Sequence, residues 1–245
     1  MFFQLFKGKP SRFFSIERVA ILTILFFLVI FSTSCKRFKK DLILSEGIIE
    51  YSITYLDEDS SKYDPNIRPD RMVVRFKNNN TVNRIEALSG AFSFAFIQDI
   101  DSKTSTTLVK ILNKKLFYRE PLQENRYHFA YKAMPDMIIE KVDETESFLG
   151  FSCKKALATF NDSTSYSFEI WYTDDIVVNM PNHNTPFEAI DGIMLKFSVI
   201  MFNQKMNIAA TSVKSAKLAK DEFNIPLEYE EVNYETMMEL IYLFQ

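Results

Sequence analysis

A chain of 245 residues, 47% hydrophobic and 25% charged, is long enough to bury one sizeable core and does not call for a second. Net charge is −3, yet Lys7, Lys9, Arg12, Arg18, Lys36, Arg37, Lys39 and Lys40 gather at the start, leaving 21 basic against 31 acidic residues in 41–245. A body that acidic repels a phosphate backbone, which argues against a nucleic-acid partner, and five scattered glycines supply no phosphate-cradling loop.

The first 35 residues read as an address. A basic stretch ending at Arg18 precedes Val19–Phe31, thirteen residues without a charge. That is the length of a signal-peptide core, whereas a spanning helix needs about 20 apolar residues. Ser32-Thr33-Ser34-Cys35 follows and resembles the lipobox of bacterial lipoproteins, departing from it at Ser32, where a large aliphatic residue is usual. The resemblance implies that Cys35 carries the lipid and becomes the mature N-terminus. The alternative is an uncleaved anchor, since the charge-free run to Cys35 just spans when Arg18 and Lys36 flank it. Either way the basic end stays inside and the body crosses the inner membrane. Lys36–Lys40 is then a basic tether, favourable beside anionic headgroups. By the same resemblance to bacterial lipoproteins, the absence of an acidic residue directly after Cys35 implies the periplasmic face of the outer membrane, with inner-membrane anchoring as the alternative. The expected organisation is a signal peptide over 1–34, lipidated Cys35 and tether over 35–45, and one β domain over 46–245.

With Cys35 lipidated, Cys153 is the one remaining thiol and has no internal disulfide partner. A lone cysteine in a strand is a small buried hydrophobe. Gly47–Leu56 places Ile49, Tyr51, Ile53 and Tyr55 on one face, the alternation of a half-buried strand. Asp57–Asp70 is a polar loop. Arg71–Lys77 alternates again, Asn78-Asn79-Asn80 is a turn because asparagine tolerates the left-handed region, and Thr81–Leu88 returns as the partner. Phe92, Phe94 and Phe96 share one face of the next strand, and these three are the candidate ligand-binding residues. Thr106–Leu112, Lys115–Glu120, Arg126–Lys132 and Ile138–Val142 continue the series of short β runs. Gly150 breaks the pattern before Phe151–Phe160, and Tyr166, Phe168, Ile170 and Tyr172 form the apolar face of the strand after it.

Helix is scarce. Thr185-Pro186-Phe187-Glu188 has the form of a capping box with proline at the first helical position, and Gly192 is placed to end that short turn. Val232–Phe244 carries Met237, Leu240, Ile241 and Phe244 at helical spacing behind an Asn233 cap, with an extra strand as the alternative. The expected fold is therefore mainly β: a single curled antiparallel sheet or half-barrel with a short helical turn and a C-terminal helix.

Gly150-Phe151-Ser152-Cys153-Lys154-Lys155-Ala156, then Trp171-Tyr172-Thr173-Asp174, then the segment from Phe187 to Leu195 resemble the ordered motifs of the GLPGLI family. Phe223-Asn224-Ile225-Pro226-Leu227-Glu228-Tyr229 resembles the closing F-x-I-P-x-x-Y of related domains of unknown function. The likeness spans Gly47 to Tyr229 and departs at the name-giving motif, where Glu188–Ile193 lacks the proline and first glycine. It implies a secreted or lipid-anchored bacterial protein with a half-barrel similar to lipoprotein carriers of the LolA/LolB kind, and it brings no catalytic residues.

The residues themselves show no catalytic constellation. His128 and His183 lie 55 positions apart without metal-site spacing; His128 falls in an expected strand as a structural histidine, and His183 in a loop. No G-x-S-x-G occurs. The pairs Asp57-Glu58, Asp174-Asp175 and Glu230-Glu231 point to opposite faces if extended. No cofactor, metal or catalytic residue is assigned. Two classes of function remain: a non-enzymatic lipoprotein holding an apolar ligand or acyl chain on a concave sheet, with Phe94 expected to line an open groove, or an accessory envelope protein acting through a protein partner.

Overall fold

The computed structural model describes residues 43–56, 68–122 and 127–242. The expected signal peptide, Cys35, the tether as far as residue 42, most of the Asp57–Asp70 loop, Arg126 and Phe244 lie outside them. Residues 41–245 form a compact unit containing every element described.

Twelve strands make one curled, unclosed sheet: β1 (Glu46–Tyr55), β2 (Arg71–Lys77), β3 (Asn80–Ala87), β4 (Phe92–Asp99), β5 (Thr104–Ile111), β6 (Lys114–Pro121), β7 (Met137–Phe148), β8 (Phe151–Phe160), β9 (Ser167–Thr173), β10 (Ile193–Met201), β11 (Gln204–Ser215) and β12 (Glu230–Glu231). Their order is β12-β6-β5-β4-β3-β2-β1-β11-β10-β9-β8-β7. All neighbours are antiparallel except β12, which lies parallel to β6 and covers that edge. The mainly β expectation holds, because alternation in the sequence matches alternation in burial. On β1, Ile49, Tyr51 and Ile53 are buried while Ser52 and Thr54 face solvent. Between β7 and β8 the chain reverses at Leu149 and Gly150, both at positive φ, the conformation a two-residue hairpin turn demands. Cys153 is fully buried, and burial raises its thiol pKa.

Four features differ from the sequence reading. Residues 127–132 do not form a strand: Phe129–Tyr131 is a 3-10 turn capped by His128, whose Nδ1 accepts from the Ala130 N–H at 3.2 Å. Those local bonds replace ladder bonds and send both Phe129 and Tyr131 toward the interior, where a strand would send them to one face of a sheet edge that β12 occupies. Residues 185–190 close as successive turns, Glu188 N–H to Thr185 O and Ile190 N–H to Phe187 O, without becoming a helix. Gly192 serves close approach, not helix termination: a Cβ there would meet Thr173 O at 2.5 Å. Strand β11 is an addition to the expected series, with Met206, Ile208 and Ala210 alternating inward along it. The terminal helix, α1 (Tyr234–Tyr242), forms directly behind its expected cap, with Asn233 Oδ1 accepting from the Thr236 N–H at 2.9 Å.

The last part of the chain wraps the sheet. Phe223, Ile225 and Tyr229 of the F-x-I-P-x-x-Y segment pack on the outer face against Val82, Ala95, Ile97 and Leu108. The chain then passes the β6 edge as β12 and lays α1 on the inner face, where Met237 and Ile241 meet Phe94 and Val109. Phe94 is 6% exposed and its ring centroid lies 4.9 Å from that of Phe202. Phe94→Ala should therefore cost about 3–5 kcal/mol, the range for truncating a packed aromatic ring. Urea melts are the check; a loss near 1 kcal/mol would show a ring facing a void.

Candidate functional site

The inner face is where the sheet could hold something. Across β2, β3, β4 and β5 the ladder aligns Val74, Asn83, Phe96 and Thr107 in one row and Met72, Ile85, Phe94 and Val109 in the next. The three candidate phenylalanines share that face but not one environment. Phe92 is half-buried at the start of β4, Phe94 lies beneath α1, and Phe96 borders a cavity of about 80 Å³. Met72, Val74 and Ile85 line it from one side, and Met194, Met201 and Ile208 from the other. Thr81, Asn83, Asn182 and Thr185 supply its polar wall, and no residue lining it carries a formal charge.

A loop closes one side. Asn182 is buried and donates from Nδ2 to Ile190 O at 2.7 Å and to Gly192 O at 3.0 Å, while Thr185 Oγ1 donates back to Asn182 O at 2.7 Å. Pro181 and Asn182 line both the inner cavity and an open groove of about 830 Å³ at the rim, bordered by Lys103, His183 and Glu188. His183 Nδ1 lies 3.2 Å from Glu188 Oε1. Two tyrosines wall the cavity. Tyr51 donates to Met194 O at 3.0 Å, burial raises its pKa, and burial pushes Tyr131 up to about 12. Both hydroxyls are therefore neutral at physiological pH.

The sequence pointed to phenylalanines, and the structure adds Thr81, Asn83 and Asn182. A signal for the first two was present: they share the phase of Ile85, so polar residues occupy positions the alternation assigns to the buried face.

Residues 98–242 match the family model described as "N-glycanase peptide, N-terminal domain", more than half of the chain. The chain belongs to that family. It is not the GLPGLI family expected from the motifs. The match begins at the end of β4 and runs through α1, so it includes the 181–185 loop but not Thr81 or Asn83. No curated protein matches. Among solved structures, one similar chain is a domain described as an outer membrane lipoprotein-sorting protein from Vibrio parahaemolyticus. It is 9% identical, with 74% of this chain and 89% of that chain covered and a TM-score of 0.20, too low to bear on fold or function.

Charge is concentrated on the outer face. Lys155 Nζ sits 2.7 Å from both Glu144 and Glu169, and Lys196 lies 2.8 Å from Glu146 and 4.0 Å from the Phe148 ring centroid. Each resolved carboxyl shift is downward: in Glu169 through the hydrogen bond from Lys155, in Glu50 through Ser212, in Glu46 through the backbone of Leu218. Carboxyls so held are ionised at neutral pH. Among the described residues no group of three or more His, Cys, Asp or Glu is placed to hold a metal ion, and no helix is long and apolar enough to cross a membrane.

His128 behaves differently. Its ring centroid lies 4.6 Å from that of Phe96 and 3.9 Å from that of Phe129, Nε2 is 2.8 Å from Thr107 Oγ1, and burial pushes its pKa down to about 3. With Nδ1 accepting from Ala130, the proton sits on Nε2 and the ring is neutral. Below about pH 6.5 the unfolded chain takes up a proton that the folded state refuses, so stability falls as pH drops toward about 3, by at most ~1.4 kcal/mol per pH unit. Between pH 6.5 and 5 the lowered carboxyls do not yet titrate, so His128→Gln should flatten the decline there. Parallel denaturation curves for the variant and the wild type over that window would refute a buried neutral ring.

Proposed function

We propose that this chain is a membrane-tethered, non-enzymatic envelope domain that holds a small apolar ligand, or the end of an acyl chain, on the inner face of its curled sheet. The observation that carries this reading is the apolar, uncharged cavity beside Phe96. A largely apolar cavity takes up a matching hydrocarbon, as an engineered cavity of about 150 Å³ takes up benzene. At about 80 Å³ the space suits a fragment of a few carbons, not a whole acyl chain. The family description names the N-terminal domain of an N-glycanase, so the fold there is joined to an enzyme. For this chain a binding role is favoured, because no residue lining the cavity carries a carboxyl, imidazole or ammonium group for acid–base work.

The address supports an envelope location. The apolar run Val19–Phe31 leads to Ser32-Thr33-Ser34-Cys35 and then to a basic tether, the order of a lipoprotein leader, with Cys35 as the acylated residue and the periplasmic side of the outer membrane as the address. The motif likeness to the GLPGLI group and to lipoprotein-carrier half-barrels belongs to the same reading.

A second reading, an accessory protein that docks to an envelope partner, is favoured by β7. Among the described residues it is an unpaired edge of the sheet, twelve residues long, with Ile138 57% and Val142 40% exposed, an edge of the sort that accepts a partner's strand.

Two measurements separate these readings. Cyclopentane should raise the melting temperature of residues 41–245, and Ile85→Phe, which fills the cavity, should abolish that rise while leaving the fold intact. No response in the wild type would leave the docking reading standing. Labelled palmitate should enter the full chain in cells, and Cys35→Ser should release it from the acyl-labelled membrane fraction; an unlabelled wild type would remove the lipid anchor.

A further inference from the structure

Among the described residues β7 pairs with β8 alone, so its other side carries a row of main-chain N–H and C=O groups without ladder partners. The irregularity between Val142 and Thr145 interrupts that row and leaves residues 137–142 as the regular stretch. Their side chains divide by face. Met137 and Ile139 lie opposite Phe160 and Ala158 on the inner face, half-buried at the margin of the core. Ile138, Glu140 and Val142 lie opposite Thr159, Leu157 and Lys155 on the outer face and are exposed.

Charge decides between the candidate occupants. Three of the five charged side chains on β7 are already held: Lys141 by Asp191 at 2.7 Å, Glu144 by Lys155 at 2.7 Å and Glu146 by Lys196 at 2.8 Å. Glu140 and Asp143 have no ion-pair partner among the described residues. A second copy of β7 is a poor occupant, because the strand holds four carboxylates against one ammonium group and two such strands repel. An acidic segment fails for the same reason, and a purely apolar one would crowd the Glu140 carboxylate without answering its charge. We propose that residues 137–142 dock an extended segment of a partner protein, which adds to the sheet as a further strand and sets a lysine or arginine opposite Glu140. Apolar or β-branched residues two positions to either side of that basic residue cover Ile138 and Val142. The proposal rests on the docking reading above and names the chemistry of the partner.

The test uses isotope-labelled residues 41–245 and the capped peptide Ser-Val-Thr-Lys-Thr-Val-Ser, whose side-chain order is the same in either strand direction. In NMR titrations it should shift the amide signals of residues 137–142 at about fivefold to tenfold lower concentration than the analogue with glutamate at its centre, the gap expected between an opposite-charge and a like-charge cross-strand pair. Glu140→Lys, at an exposed position, should invert that order. An analogue with proline at one threonine and the adjacent valine lacks an N–H toward β7 in either phase, and should lose the shifts. Equal shifts by the lysine and glutamate peptides, in the wild type and in Glu140→Lys, would overturn the basic partner while leaving strand docking in place. β7 signals that change with protein concentration alone would assign the edge to a second copy and overturn the proposal. If no peptide moves them, this inference and the docking reading both fall.

Discussion

An open sheet of twelve strands has an inner face that must be removed from water, and the rest of this fold follows from that need. No second sheet supplies the cover among the described residues; the chain supplies its own. Helix α1 sets Met237 and Ile241 on Phe94 and Val109, the Phe129–Tyr131 turn fills the neighbouring row, and the loop through Phe187 and Ile190 closes the far part of the core. Apolar burial stabilises by about 25 cal/mol per Å², so each cover is worth keeping only where its shape fits the sheet beneath. The covers meet side by side without filling the face completely, and the cavity beside Phe96 is what they leave.

The same wrapping explains why both faces of β3, β4 and β5 are apolar in part. Val82, Ala95, Ile97 and Leu108 would otherwise form an exposed patch on the outer face; Phe223, Ile225 and Tyr229 cover it before the chain turns the β6 edge. The F-x-I-P-x-x-Y segment is thus a strap whose aromatic and aliphatic positions answer to four strand residues. It holds the sheet from outside while α1, only a few residues later, holds it from inside. At the opposite edge β7 has no such cover among the described residues, and its mostly exposed side chains, with the irregularity between Val142 and Thr145, blunt the edge in another way.

Electrostatics divides along the same line. The lysines and glutamates of β7 to β10 pair with one another on the outer face, where water screens them, whereas the cavity wall is neutral. His128 touches the cavity wall through its contact with Phe96, and burial keeps its ring neutral. The cavity wall therefore presents shape and neutral polar groups, without formal charge.

Alternation of apolar and polar residues every second position determined the class of fold from the sequence alone. Ile49, Tyr51 and Ile53 on β1, or Phe168, Ile170 and Tyr172 on β9, have one physical solution, a strand with one buried face. Asn233 before an apolar stripe likewise announced α1, because the helix period and its cap are local properties. Local pattern misled at Arg126–Lys132, where alternating aromatics look like a strand but His128 bonds its own backbone and both rings turn inward. The site was only partly legible for a related reason. Three phenylalanines two residues apart share a face in any strand, yet which of them is packed and which meets a void depends on where α1 and the 181–185 loop come to rest. Those segments lie about 90 to 140 residues away along the chain, and their docking is decided by the fit of distant surfaces, a quantity that no local period encodes. That docking buries Phe94 under Met237 and Ile241, leaves Phe96 at the edge of the cavity, and leaves Thr81 with a hydroxyl and no partner.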